Sequence, residues 1–271
     1  MDDLRFIQVG ELAKGISENV LPAVADLSGR SVQLFFEDGS STRYTFTDAH
    51  DLRWEALTGS AAGASGEESY SATCFRDSVY FVDYVSRSER ATSVSLVLDL
   101  AAGKATAVIG TLPAEADVQK SAYRLASVGA DLTAVAVRFL RATIDRPFDP
   151  EERHHAPTTE LVGKRVQYVY SQTETYEHIY LNEKLYTWQC LTGSEQGLAD
   201  TDRCHYFKID DELYLFVWRE KIVPTLGVVL LDWRRKKTTG KLFGYESDDF
   251  GGLTNTPIGA YATLLNVTTY D

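Results

Sequence analysis

The chain has 271 residues, which is enough for two ordinary domains that each bury a core. Its 27 basic and 39 acidic residues give a formal net charge of -12. This balance argues against nucleic acid and anionic membrane surfaces as partners, because both reward an excess of Lys and Arg.

Apolar residues at helical intervals predict a leading helix within residues 9–24. From Arg30 onward the pattern changes to that of short strands. Val32–Phe36 and Thr42–Phe46 flank an Asp38-Gly39 turn and predict a hairpin. Further strands are predicted at residues 52–57, 71–75, 78–84, 92–100 and 104–109.

The middle of the chain combines helical and strand patterns. Residues 115–128 predict a helix. Residues 134–144 fit either structure, and we favour a strand because their end, Ala142–Asp145, resembles the end of the chain, Thr268–Asp271. The Pro-rich and charged stretch 146–159 predicts an exposed linker.

The remaining residues repeat the first half at a shift of 134 positions. The shift aligns Gly29 with Gly163 and Trp54 with Trp188, and the match slips by one residue before Asp99 meets Asp232. A period of this length indicates a duplicated domain rather than a solenoid or propeller, whose repeats span about 20–50 residues.

Regularly spaced short strands joined by Asp, Gly and Ser turns indicate an antiparallel barrel or sandwich, and a lipocalin-like barrel is the more specific interpretation. We therefore predict a mainly β protein made of two tandem lipocalin-like antiparallel β-barrels with a few short helices. The predicted division is residues 1–145 for the first barrel with its leading helix, 146–159 for the linker and 160–271 for the second barrel.

The two copies differ at positions that carry chemistry. By the period-two rule Tyr168 and Tyr170 share one strand face, and Tyr214, Phe216, Trp218 and Glu220 share another. The first copy has Leu34, Phe36 and Ser86 at the positions of Tyr168, Tyr170 and Glu220. A carboxyl group facing an aromatic interior is desolvated, which suits it to proton transfer near neutral pH. The competing interpretation is that the aromatic residues are packed core and Glu220 faces solvent.

Metal and thiol chemistry have little support. His154 and His155 are adjacent, so in extended backbone their side chains point in opposite directions. Cys74, Cys190 and Cys204 lack metal-site spacing and leave an odd number for disulfides. We therefore predict no metal and no cofactor. The amino terminus also lacks a basic stretch followed by an apolar one, as in a signal peptide, so we predict a cytoplasmic protein with no membrane association.

The second copy resembles the bacterial phenolic acid decarboxylases, which are small lipocalin-like barrels. The resemblance rests on residues 163–170, 176–182, 188–193 and 213–220. It implies that Tyr168 and Tyr170 anchor a substrate and that Glu220 moves a proton. The family's catalytic arginine falls on Gln189, and this difference puts the decarboxylase reaction itself in doubt.

Over its whole length the chain is similar to the family labelled molybdenum cofactor biosynthesis protein F. The label implies a biosynthetic pathway, although the sequence has no phosphate-binding glycine loop and no thiolate pair.

Two functions remain open, besides a purely structural or partner-binding role in which the aromatic residues leave no cavity. The first is a cofactor-independent lyase or isomerase with Glu220, Tyr168 and Tyr170 as catalytic residues; Gln189, Trp218, Phe216, Tyr214 and His178 would contact the substrate. The second is a non-catalytic carrier of a small apolar or aromatic ligand. His178 shares a strand face with Tyr176 and Tyr180, and the direction of that face is open, as is assembly into a homo-oligomer.

Overall fold

A computed structural model describes residues 5–13 and 15–269 of the chain. Its first eight strands form a closed antiparallel barrel in which each strand pairs with the next and the last pairs with the first. These strands are β1 Ser31–Phe36, β2 Ser41–Phe46, β3 Asp51–Thr58, β4 Ser65–Arg76, β5 Val79–Val85, β6 Thr92–Asp99, β7 Lys104–Thr111 and β8 Ala136–Ile144. The prediction that residues 134–144 form a closing strand is confirmed.

A second closed barrel of eight strands follows, joined by the short strand β9, Ala156–Pro157, which pairs with β13. Its strands are β10 Lys164–Val169, β11 Thr175–Tyr180, β12 Leu185–Thr192, β13 Ala199–Asp210, β14 Leu213–Glu220, β15 Thr225–Asp232, β16 Lys237–Tyr245 and β17 Leu253–Val267. Pairing of β10 with β17 and of β12 with β13 closes the circuit. The predicted duplicated, mainly β architecture is therefore confirmed.

Equivalent strands of the two barrels pair in the same register. Tyr44 pairs with Trp54 in the first barrel, and 134 residues later His178 pairs with Trp188 in the second. The one-residue slip falls between β14 and β15, because Tyr84 pairs with Val94 whereas Trp218 pairs with Gly227.

The helices of the described residues are shorter than predicted. The leading helix is a single turn, α1, Val9–Leu12. The helix predicted over residues 115–128 is two short ones, α2 Glu115–Val118 and α3 Ala122–Ser127. Ser121 separates them, because its extended backbone and its hydroxyl, which accepts a hydrogen bond from the Arg124 amide, begin a new helix.

Contacts divide the chain into two compact units that interleave along the sequence. One comprises Leu21–Thr111 and Val137–His155 and holds the amino-terminal barrel. The other holds the carboxy-terminal barrel, together with the residues up to Val20 and Leu112–Ala136. The leading helix, which we predicted to belong with the amino-terminal barrel, thus packs with the carboxy-terminal one.

Each barrel has its own apolar core. That of the amino-terminal barrel is mostly aliphatic, with Leu34, Leu96 and Leu98 fully buried. That of the carboxy-terminal barrel is rich in rings, including Tyr180, Tyr186 and Phe216. Within the described ranges, no helix is long and apolar enough to cross a membrane. Within the described residues, Cys74, Cys190 and Cys204 form no disulfide.

Candidate functional site

The interior of the carboxy-terminal barrel contains a cavity of about 50 Å³. Its polar and aromatic wall comes from the barrel strands and the turn after β12. Its apolar wall comes partly from residues 5–13 and 15–20, which we call the leading segment. The lining residues are Ile7, Val9, Leu12, Ile16, Tyr170, Tyr176, His178, Tyr186, Trp188, Glu195, Trp218, Glu220, Thr225, Leu242 and Ile258.

The ring of Trp218 lies across the neighbouring strand at a position that only glycine permits. Trp218 on β14 pairs with Gly227 on β15, and a Cβ atom at Gly227 would lie 2.1 Å from the indole ring. The first barrel has Tyr84 opposite Val94 at the corresponding place. The Trp and Gly pair therefore gives this barrel a broad aromatic wall beside Glu220.

Glu220 ends β14 and directs its carboxyl group to the cavity. The Trp218 indole Nε1 donates to Glu220 Oε1 at 2.9 Å, and the Thr133 hydroxyl donates to the Glu220 backbone carbonyl at 2.9 Å. Burial raises the pKa of Glu220 well above its usual value, and the nearby carboxyl groups of Asp202 and Glu195 add to the increase. The group is thus suited to donate or accept a proton near neutral pH.

The two predicted tyrosines have different surroundings. Tyr170 lines the cavity, and its hydroxyl makes no hydrogen bond to the described residues. Burial and the proximity of Glu220 raise its pKa. Tyr168 lies deeper, where its hydroxyl bonds to that of Tyr180 at 2.6 Å. The geometry therefore leaves Tyr170 available to a ligand and commits Tyr168 to the core.

His178 faces inward between aromatic rings, which answers the question that the sequence left open. It is 4% exposed, its ring centroid lies 4.6 Å from that of Tyr168, and its Nδ1 has no hydrogen-bond partner among the described residues. Burial lowers the pKa of His178 to about 3, so the imidazole is neutral at physiological pH.

Sequence reasoning missed Glu195, which lies in the turn between β12 and β13. Its carboxyl group lines the cavity and accepts hydrogen bonds from the Tyr176 hydroxyl at 3.1 Å and from the Ile7 amide at 3.4 Å. Burial raises the pKa of Glu195. Strand periodicity does not extend into a turn, and the sequence offers no sign that residue 7 meets residue 195.

A second carboxyl network supports the tryptophan on β12. The Trp188 Nε1 donates to Asp202 Oδ2 at 3.0 Å, and the Lys221 amide donates to Asp202 Oδ1 at 3.1 Å. The Lys221 ammonium group also bonds to Asp200. The first barrel repeats this arrangement at the shift of 134 residues: Trp54 donates to Glu68, which also accepts from the Arg87 amide.

Three predicted substrate contacts do not line the cavity. Gln189 is exposed on the outer face of β12, because inward positions alternate and are held by Trp188 and Cys190. Phe216 is buried behind the wall and stacks on Trp218 at 5.1 Å. Tyr214 lies further along β14, where its hydroxyl donates to Glu160 at 2.5 Å.

Each copy of the repeat matches a known protein-family domain. Residues 4–114 match the MoaF N-terminal domain, and residues 155–268 match the MoaF C-terminal domain. The chain is also 42% identical over 269 residues to Protein MoaF of Klebsiella aerogenes, covering 97% of this chain and 96% of that protein. The chain belongs to the MoaF family. The two matched domains correspond to the two barrels, and neither description states an activity.

Among solved structures, a chain from Burkholderia vietnamiensis that is provisionally named a beta-lactamase covers 44% of this chain and 92% of its own. The identity is 16% and the TM-score 0.32, too low to support an argument about function. Across the described residues, no cluster of His, Cys, Asp and Glu is arranged to hold a metal ion.

Proposed function

We propose that this MoaF family protein binds a small aromatic or conjugated molecule in the carboxy-terminal barrel and acts on it as a cofactor-independent lyase or isomerase. The observation that carries the proposal is the convergence of Glu220, Tyr170 and His178 on one cavity. Glu220 supplies the general acid or base, and Tyr170 offers a free hydroxyl to a substrate oxygen or nitrogen.

The present cavity is smaller than such a ligand. About 50 Å³ holds a few water molecules, whereas an engineered cavity of about 150 Å³ is the size that binds benzene. Four lining residues belong to the leading segment, which is attached to the barrel by hydrogen bonds that include Ser17 Oγ to the Pro257 carbonyl and Asn19 Nδ2 to the Val169 carbonyl. Ligand entry therefore requires this segment to move.

The alternative function is a carrier that binds without turnover. The apolar half of the wall, which includes Leu12, Ile16, Leu242 and Ile258, favours it, because a carrier needs shape and apolar area. A carrier has no need of Glu220, so one variant discriminates between the two functions.

The variant Glu220→Gln removes the ionisable group and keeps the shape. If the protein is an enzyme, it should still bind ligand and lose turnover by about 100-fold or more, the usual contribution of general acid or base catalysis. A panel of hydroxycinnamates and their amine and aldehyde analogues serves as probes, with binding followed by tryptophan fluorescence and turnover by mass spectrometry.

The matched control is Glu183→Gln, which makes the same chemical change at an exposed turn of the same barrel. Unchanged turnover in Glu220→Gln would remove Glu220 from the mechanism. Saturable binding without turnover in the native chain would favour the carrier, and no binding by any probe would contradict both functions.

A further inference from the structure

The charges around the cavity are unbalanced. Glu195 and Glu220 line it, whereas no Lys or Arg is found among the lining residues of the described chain. Behind Trp188 lie Asp200 and Asp202, which share the single ammonium group of Lys221. His178 adds no positive charge, because its pKa is lowered to about 3. The cavity is therefore lined by two carboxyl groups and, among the described residues, by no cationic side chain.

Several polar groups that line the cavity also have hydrogen-bonding positions that the described residues do not occupy. Glu220 accepts one side-chain bond, from Trp218, and its other carboxyl oxygen receives none from the described residues. Glu195 holds the Ile7 amide at 3.4 Å, a long contact. Within the described residues, the buried Nδ1 of His178 also has no partner. Buried polar groups are nearly always satisfied, so this nitrogen, together with the open oxygen of the half-buried Glu220, indicates a ligand that brings donors.

Aromatic faces surround the same space. Trp188, Trp218, Tyr176 and Tyr186 all line the cavity, and the rings of Tyr186 and Trp218 lie 6.1 Å apart. Indole and phenol faces attract cations within about 6 Å, most strongly where water is excluded. A carboxylate ligand in this position would have no cation to pair with, whereas a cation would favour ionisation of Glu195 and Glu220 and so lower their raised pKa values.

We propose that the ligand of the carboxy-terminal barrel is an organic monocation, an aromatic amine whose ammonium group lies between Glu220 and Glu195 and whose ring lies against Trp188 and Trp218. This inference rests on the proposed function and narrows its substrate class. An ammonium group supplies three donors to the two carboxyl groups, and the ring replaces the side chains of the leading segment.

Three probes of similar size and different charge test the proposal: phenethylamine, 2-phenylethanol and phenylacetate. Binding at pH 7 is followed by the fluorescence of Trp188 and Trp218. The native chain should bind phenethylamine about tenfold or more tighter than 2-phenylethanol, because charged hydrogen bonds and ring contacts add to the same apolar burial. Phenylacetate should bind weakest.

The variants Glu220→Gln and Glu195→Gln should each weaken phenethylamine binding about tenfold and leave 2-phenylethanol within about twofold, with Glu183→Gln as the unchanged control. Having two variants covers the case in which one fails to fold. Equal or tighter binding of phenylacetate, or amine binding unchanged in both variants, would overturn the proposal and leave the proposed function standing. Failure of all three probes to bind the native chain would contradict both.

Discussion

At the scale of the residue, the two tyrosines of β10 show how a shared strand face hides different roles. Tyr168 and Tyr170 both point inward, as the period of two predicted. Tyr168 satisfies its hydroxyl against Tyr180, whereas the hydroxyl of Tyr170 is left open beside Glu220. The period of two shows which side chains face the barrel interior but not how deep along the barrel each one lies. The difference between the two tyrosines therefore could not be predicted from the sequence.

Removing the Tyr168 hydroxyl should therefore lower stability, whereas removing the Tyr170 hydroxyl should weaken ligand binding. Tyr168→Phe leaves the fully buried Tyr180 hydroxyl without its partner and should cost about 1–3 kcal/mol of unfolding free energy. Tyr170→Phe should change stability by less than about 0.5 kcal/mol and weaken ligand binding about tenfold. Urea unfolding and fluorescence titration measure the two effects, and the reverse pattern would refute this assignment.

His178 should make the protein sensitive to acid. Its pKa is about 3 in the folded chain and about 6.5 in the unfolded chain. Between these two pH values the imidazole is protonated in the unfolded chain and neutral in the folded one. Stability is then lost as the pH falls, by about 2 kcal/mol at pH 5. His178→Phe should remove this loss.

The measurement is the difference in unfolding free energy between pH 7 and pH 5 for the native chain and the variant. His50→Gln, in the exposed turn between β2 and β3, is the matched control and should behave like the native chain. An identical pH dependence in the native chain and His178→Phe would show that the imidazole is not held neutral.

At the scale of the element, the leading segment is the main feature that the sequence did not reveal. Its apolar residues predict a helix that packs against some surface, and nothing in their spacing selects the carboxy-terminal barrel. Close backbone approaches determine the choice. Gly244 on β16 leaves room for Val9, since a Cβ atom there would lie 2.3 Å from Val9 Cγ2.

A substitution at Gly244 should displace the leading segment from the barrel. Gly244→Ala should displace Val9, cost about 1–3 kcal/mol of stability and speed ligand association, because the apolar wall of the cavity opens. Val9→Ala in the same chain should restore part of the lost stability, so the two substitutions should be non-additive. Additive effects, measured by urea unfolding of both single variants and the double variant, would mean that the contact does not hold the segment.

At the scale of the whole molecule, the duplication predicted the architecture well, and the site that it selects stays a prediction. The shift of 134 residues carries strand register from one barrel to the other, as in Tyr44 with Trp54 and His178 with Trp188. Comparison of the copies selected Glu220 and Tyr170, which both line one cavity. Gln189 was placed instead by alignment with the decarboxylases, and it is exposed because such an alignment does not test whether a position faces inward.

The same comparison explains why one barrel is the candidate. Both copies keep the Trp and carboxylate pair, Trp54 with Glu68 and Trp188 with Asp202, which braces each barrel. The copy with Ser86 has an aliphatic core, and the copy with Glu220 has a ring-lined cavity. We infer that duplication preserved the scaffold in both halves and chemistry in the second.

A crystal structure of the protein with phenethylamine bound tests the central claim most directly. We expect density inside the carboxy-terminal barrel, with a ligand atom within hydrogen-bond distance of Glu220 or Tyr170 and with the leading segment displaced from its present contact at Gly244. Density at another place on the chain, with the cavity still closed by Val9, would contradict the assignment of the site.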